Sequence, residues 1–434
     1  MTTVHVPLLD PFAASPGALA PHAGARPGPA VGLRCRECAA AYPLIPGHVC
    51  VQCFGPLEVE YDPAALRRVT RTSIESGPAS MWRYLGLLPA GQDAATRVSL
   101  GAGMTRLHRA DNLAQELGMR RLWVKDDTGN PTHSFKDRVV SVALSAAREF
   151  GFDTVACAST GNLANAVAAH AAAAGLRSVV LIPADLEAGK VITTAVYGGT
   201  LVAVDGTYDD VNRLCAEIAG ELPWAFVNVN LRPFYAEGSK TVGYEVAEQL
   251  GWRLPAQVVI PMASGSLLTK VDKAFGELGQ LELVEPTPYA VFGAQASGCA
   301  PISAAYRAGR DVVTPVRPAT IAKSLAIGNP ADGPYALDSV RRTGGAITDV
   351  PDDEIVAGIR LLARTEGIFA ETAGGVTVAT LRRLLAAGEL DPAAETVLLN
   401  TGDGLKTLDA VAPVVGPTVT IAPSLDAFRK AGLA

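Results

Sequence analysis

Hydrophobic positions along the chain come in short apolar runs that alternate with longer stretches of helical spacing. "RLWVKDD" (121–127) reads as a strand and "DRVVSVALSAAREFG" (137–151) as a helix ended by Gly151. "TVACAS", "RSVVLIP" and "TLVAVDG" read as strands, separated by helical "NLANAVAAHAAAAG" and "KVITTAVYGG". Later, "QVVIPMASG", "PYAVFGAQA" and "ETVLLNTGDG" are apolar strands running into glycine-containing turns. Continuous apolar strands between helices predict parallel sheets covered on both faces, with ligands bound at the carboxyl ends of the strands.

The N-terminal stretch departs from this pattern. Residues 1–30 are rich in Pro, Ala and Gly and read as a flexible leader. Residues 31–62 follow with two CxxC pairs, Cys35/Cys38 and Cys50/Cys53, eleven residues apart. Four thiolates at that spacing predict a tetrahedral structural zinc ribbon with every ligand position filled. The alternative is a degenerate ribbon with free or oxidised thiols. His48 would be surplus in a four-cysteine site. The other three cysteines, at 157, 215 and 299, read as buried small apolar residues.

At 434 residues and 49% apolar composition, the chain is too long for one ordinary domain. A net charge of -6 argues against a nucleic-acid or membrane-surface role. No apolar run reaches spanning length, and the N-terminus lacks a signal-peptide pattern, so a cytoplasmic protein is expected.

The candidate chemistry lies in the turns. "PTHSFKDR" (131–138) crowds Lys136 between an aromatic ring and an aspartate. A buried lysine becomes a nucleophile toward carbonyls; the alternative is a helix-start lysine paired with Asp137. "ASTGNLANA" (158–166) offers Ser159, Thr160, Gly161 and Asn162 at a helix N-terminus, an anion site or an ordinary N-cap. "PMASGSLLTK" (261–270) places small residues where backbone N–H groups could wrap a phosphate, and "NTGDGLKT" (400–407) puts Thr401 at a strand end. A lysine nucleophile, two anion-binding turns and a late hydroxyl fit pyridoxal 5'-phosphate (PLP).

Together with "VSLGAGMTRL", "YAEGSKTVGYEVAEQLGW", "TIAKSLAIGNPADG" and "ETAGGVTVATL", these turns give residues 80–410 a pattern that resembles the threonine synthases. Those are PLP enzymes of fold type II, the tryptophan-synthase-β-like group, and the ribbon resembles their ribbon-bearing branch. The resemblance implies that Lys136 carries the cofactor and moves protons. It implies that Asn162 meets the cofactor's 3-oxygen, that Ala263, Ser264, Gly265, Ser266 and Leu267 form the phosphate cup, and that Thr401 faces the ring nitrogen. It further implies O-phospho-L-homoserine as substrate, with Ser159 and Thr160 at the substrate carboxylate or phosphate.

Candidates for holding the substrate phosphate are Asn230, Arg232 and Lys240. His133, Leu163 and Asp403 depart from the commoner family pattern; His133 and Leu163 bear on substrate recognition, and an Asp403 reaching the ring nitrogen would displace Thr401. Related readings are a threonine/serine dehydratase, a cysteate-synthase-like enzyme using O-phosphoserine, or a non-catalytic protein whose ribbon docks a partner. The expected architecture is a leader (1–30), a ribbon module (31–62), a larger α/β domain (63–153 and 240–434) and a smaller one (154–239). The cofactor should lie in the cleft between them. A homodimer is possible.

Overall fold

The computed structural model describes residues 28–159, 161–186 and 188–433. The leader expected at 1–30 and the candidate Thr160 therefore lie wholly or largely outside the described residues. Strands β1 (Ala30–Cys35), β2 (Ala41–Tyr42) and β3 (Leu57–Tyr61) form an antiparallel ribbon in the order β2-β1-β3. β4 (Arg106–Arg109) and β5 (Arg121–Asp126) open a large sheet. The chain leaves it to build a four-stranded parallel sheet from β6 (Thr154–Ala158), β7 (Arg177–Pro183), β8 (Thr200–Val204) and β9 (Ala225–Phe226), in the order β8-β7-β6-β9. It then returns through β10 (Gln257–Pro261), β11 (Ala290–Ala296), β12 (Ile347–Val350) and β13 (Glu395–Asn400). The large sheet runs β12-β11-β10-β13-β5-β4, parallel except for β4 at its edge.

Buried strands explain the apolar runs: β6, β10 and β13 are buried at every position. The helix Lys136–Glu149 has no solvent face to speak of, with Asp137 through Ala147 all buried. The helix Asn162–Ala174 ends at Gly175 (φ +66°), where Leu176 N–H donates to the Ala171 carbonyl at 2.9 Å, a Schellman closure. Both helices pack in the same core as ribbon residues Leu33, Leu57 and Val59, so the ribbon is part of the body. No helix among the described residues is long and apolar enough to cross a membrane.

One buried charge network ties the large sheet to the helix that carries Lys136. Arg138, wholly buried, donates to Asp127 (2.7 and 2.8 Å), to Glu245 (2.8 Å for its Nη2) and to Thr105 (3.0 Å). Lys125 Nζ adds a 2.7 Å bond to Glu245. The two cations hold the Glu245 carboxyl down at about 2 against its burial. A buried pair deprived of one partner leaves an uncompensated charge. Arg138→Leu should therefore lower stability by about 3–5 kcal/mol in urea unfolding. Because Glu245 is depressed from an ordinary 4.5, its stabilising contribution is full above pH 4.5 and is lost as pH falls toward 2. Glu245→Gln should flatten that part of the acid-stability profile.

Candidate active site

A cleft of about 210 Å³ lies between the two parallel sheets, at the carboxyl ends of β5, β6, β10 and β13. Lys136 opens its helix at this point. Its Nζ donates to the Tyr235 hydroxyl at 2.7 Å and stands 4.5 Å from the centroid of the Phe135 ring. Burial lowers its pKa to about 8, partly opposed by the Glu371 carboxylate. The neighbours of the lysine build its turn. Thr132 N–H and hydroxyl both donate to Asp137 at 2.8–3.0 Å, and His133 takes the left-handed conformation (φ +61°). His133 is exposed, with Nδ1 3.3 Å from the Thr128 carbonyl, and does not line the cleft. Glycine is the residue that adopts such a φ without strain, so His133 departs from the family pattern at the cost of a left-handed backbone.

Opposite the lysine, Ala263, Ser264, Gly265, Ser266 and Leu267 all line the cleft. They join β10 to the helix Ser266–Gln280, whose first N–H groups point into the turn. Gly265 has φ +94°, and a Cβ there would meet Ala336 Cβ and the Asp332 carbonyl at 3.0 Å, so only glycine brings the backbone so close. Thr401 closes the floor, its carbonyl accepting from Phe135 N–H at 3.0 Å. Asp403 caps the following turn through Leu405 N–H (2.8 Å) and does not line the cleft.

From the small sheet, Asn162 and Ser159 line the cleft, as does Leu163. Ser159 Oγ accepts from Gly161 N–H (3.1 Å) and Ala164 N–H (2.9 Å), the capping role weighed in the sequence reading. The Asn162 amide donates to both oxygens of Glu371 (3.0 and 2.9 Å), and its carbonyl accepts from Lys406 Nζ (3.0 Å). This clasp joins the two sheets across the cleft.

Of the three candidates for the substrate phosphate, the structure places one in the cleft. Arg232 lines it, with one guanidinium nitrogen 2.8 Å from Asp332. His48 of the ribbon is lowered to about 4 by burial and by the positive charge of Arg232, which makes its imidazole neutral at pH 7. Asn230 is corrected: it clips its own turn, accepting from Phe226 N–H (2.8 Å) and donating to the Trp224 carbonyl (3.0 Å), and Asn228 faces the cleft instead. Lys240 is also corrected. It is buried between Glu237 (2.7 Å) and Glu277 (2.9 Å), away from the cleft lining.

Sequence reasoning assigned no role to Tyr235, Glu371, Asp332 or Ser324. Each stands in or beside a quoted motif, yet Tyr235, Glu371 and Asp332 take their roles from partners far along the chain. The Ser324 hydroxyl is buried on the cleft wall with no partner among the described residues, as a wall facing a polar ligand would leave it. Lysine, phosphate-sized helix N-terminus and polar wall together fit PLP.

Far along the ribbon, the sulfurs of Cys35, Cys38, Cys50 and Cys53 all lie within 4.8 Å of one another. The two knuckles repeat one geometry. Ala39 and Phe54, each following the second cysteine of its pair, have φ near +60°, and their N–H groups donate to the Cys35 and Cys50 carbonyls.

With Lys136 near pKa 8, capture of PLP by the cofactor-free protein should accelerate about tenfold between pH 7 and 9 and then level off. Stopped-flow absorbance checks this; a rate still climbing steeply at pH 10 would mean an ordinary lysine.

The family model for pyridoxal-phosphate dependent enzymes matches residues 98–402. The threonine synthase of Methanocaldococcus jannaschii is 37% identical over 87% of this chain and 93% of its own. That of Methanosarcina acetivorans is 35% identical over 92% and 98%, and that of Mycobacterium tuberculosis 34% over 82% and 97%. Among solved structures, diaminopropionate ammonia lyase from Escherichia coli superposes with a TM-score of 0.63 at 19% identity, covering 82% of this chain and 94% of that one. An L-serine ammonia-lyase from Rhizomucor miehei gives 0.60 at 21%, covering 71% and 96%. Those two likenesses show the shared fold. The full-length relatives add the activity class, and the chain belongs to the threonine synthases, within the fold-type-II pyridoxal-phosphate dependent enzymes.

Proposed function

We propose that the cleft converts O-phospho-L-homoserine and water to L-threonine and phosphate. The observation that carries this reading is Lys136, held by Tyr235 and depressed toward neutrality, facing a glycine-bearing helix N-terminus across one cleft. Pyridoxal phosphate, when bound, supplies an electron sink joined to the substrate's α-carbon. Ala263 to Leu267 would hold its phosphate through backbone N–H groups, Lys136 would hold its aldehyde carbon, and Thr401 would serve the ring nitrogen. Asn162 would serve the ring's 3-oxygen, with its amide orientation set by Glu371 and Lys406.

Once the substrate's amine has taken its place, the freed Lys136 Nζ takes protons from the substrate's Cα and Cβ, delivers one to Cγ after phosphate has left, and returns one to Cα at the end. Tyr235, whose phenol burial keeps protonated, aims that amine. The substrate phosphate leaves from Cγ toward Arg232, whose guanidinium Asp332 orients, and water adds at Cβ. Ser159 and Thr160 serve the substrate's anionic groups.

The four-cysteine cluster holds a structural zinc ion in this reading. Tetrahedral Zn–S bonds of about 2.3 Å put sulfurs about 3.8 Å apart, close to the 3.4 and 3.5 Å separations of Cys35 from Cys53 and Cys38 from Cys50. All four positions are thiolates, so the metal has no open site for catalysis.

Incubation with PLP and O-phospho-L-homoserine should yield threonine and phosphate in equal amounts. An oxoacid and ammonia in place of threonine would overturn the reading. Lys136→Ala should remove the visible band of the bound cofactor and lower turnover by about a thousandfold or more with the fold retained. Elemental analysis should find one zinc per chain, and Cys50→Ser should lose it together with the ribbon's resistance to proteolysis.

A further inference from the structure

The first knuckle of the ribbon reaches the cleft through a single helix start. Between Cys35 and Cys38 lie Arg36 and Glu37. The Arg36 guanidinium stacks 3.6 Å from the centroid of the Tyr335 ring, and the Tyr335 hydroxyl donates to the Glu37 carboxylate. Tyr335 is the third residue of the helix Gly333–Thr343, directly after Asp332.

The opposite side of that helix start supports both anion positions of the cleft. The Asp332 carboxylate orients Arg232 at 2.8 Å. Asp332 N–H donates to the Ser264 carbonyl at 3.0 Å, and Gly265 packs against the Asp332 carbonyl and Ala336. Residues 332–336 are thus wedged between the ribbon's knuckle and the turn that receives phosphate.

The grip on Tyr335 is not needed to attach the ribbon. Glu58 pairs with Lys270 (2.7 Å) and Lys273 (3.5 Å), Tyr61 donates to buried Glu237 (2.6 Å), and Leu33, Leu57 and Val59 are in the shared core. A second attachment at the one helix start that carries Asp332 suits positioning.

We propose that Arg36 and Glu37 are positioning residues for substrate-phosphate recognition, acting through Tyr335 and Asp332 on the aim of Arg232. The proposal rests on the reading that Arg232 receives the substrate phosphate. It makes the cysteine ribbon a part of the specificity apparatus.

The test is steady-state kinetics of the holoenzyme with O-phospho-L-homoserine, together with inhibition by inorganic phosphate. Arg36→Ala and Tyr335→Leu should raise KM and the phosphate inhibition constant about fivefold, with kcat, zinc content and the cofactor spectrum retained. Tyr335→Phe keeps the ring stacked under Arg36 but loses the bond to Glu37, so it should show a rise smaller than that of Tyr335→Leu. Arg232→Ala should raise both constants further, and adding Arg36→Ala to it should change nothing more.

Unchanged constants in Arg36→Ala beside raised ones in Arg232→Ala would overturn the positioning proposal and leave the role of Arg232 standing. Additive effects in the double variant would overturn it too, because they mean the knuckle acts elsewhere. Unchanged constants in Arg232→Ala would overturn the reading beneath it.

Discussion

The buried guanidinium of Arg138 is the fixed point of this enzyme. It sits two residues after Lys136, and a helix that starts with a reactive amine must not rotate or slide. Arg138 bonds Asp127 at the end of β5 and Glu245 on the helix Lys240–Gln249, and Lys125 completes the neutralisation. Charges in a dry interior tolerate little displacement, since each lost bond exposes an unpaired charge. The Thr132–Asp137 bonds close the turn on the other side of the lysine. The direction of Nζ is therefore set by groups that never touch substrate, and Tyr235 makes the last adjustment.

Around that amine the cleft divides its work between the sheets. The large sheet supplies the lysine, the turn 263–267 and Thr401, and the small sheet supplies Ser159, Asn162 and Leu163. Asn162, Glu371 and Lys406 span the gap. A bridge of three polar side chains in a buried setting is strong when fully satisfied, and here each member has a partner. It brings Asn162 and Lys136 into one electrostatic environment, because the same Glu371 carboxylate that holds Asn162 also raises the proton affinity of Lys136.

The ribbon, with its own antiparallel sheet, could have been an appendage. It is instead cemented by a shared core and by the Glu58, Lys270, Lys273 and Glu237 cluster. Lys240, a candidate for substrate recognition by sequence, belongs to that cluster and ties Glu237 to Glu277. Its burial explains why the lysine of "EGSKT" is there.

What the sequence determined by itself was everything encoded within a few neighbouring residues. Apolar runs set the strands, the small-residue turns after β6, β10 and β13 marked the cleft, and two CxxC pairs marked the ribbon. Lys136 was legible because its turn is crowded locally, and its motif carried a family resemblance. What only the tertiary structure decided were the partners that arrive from distant segments. Tyr235 reaches Lys136 across 99 positions, Glu371 reaches Asn162 across 209, and Asp332 reaches Arg232 across 100. Asn228 and Asn230 differ by two positions in one turn, yet one faces the cleft and the other clips the backbone. Side-chain direction in an irregular turn follows from φ and ψ, and hydrophobic periodicity carries no information about either there. Whether a lysine serves a substrate or a buried carboxylate depends on which charges the fold brings beside it, and that is settled only when the chain closes on itself.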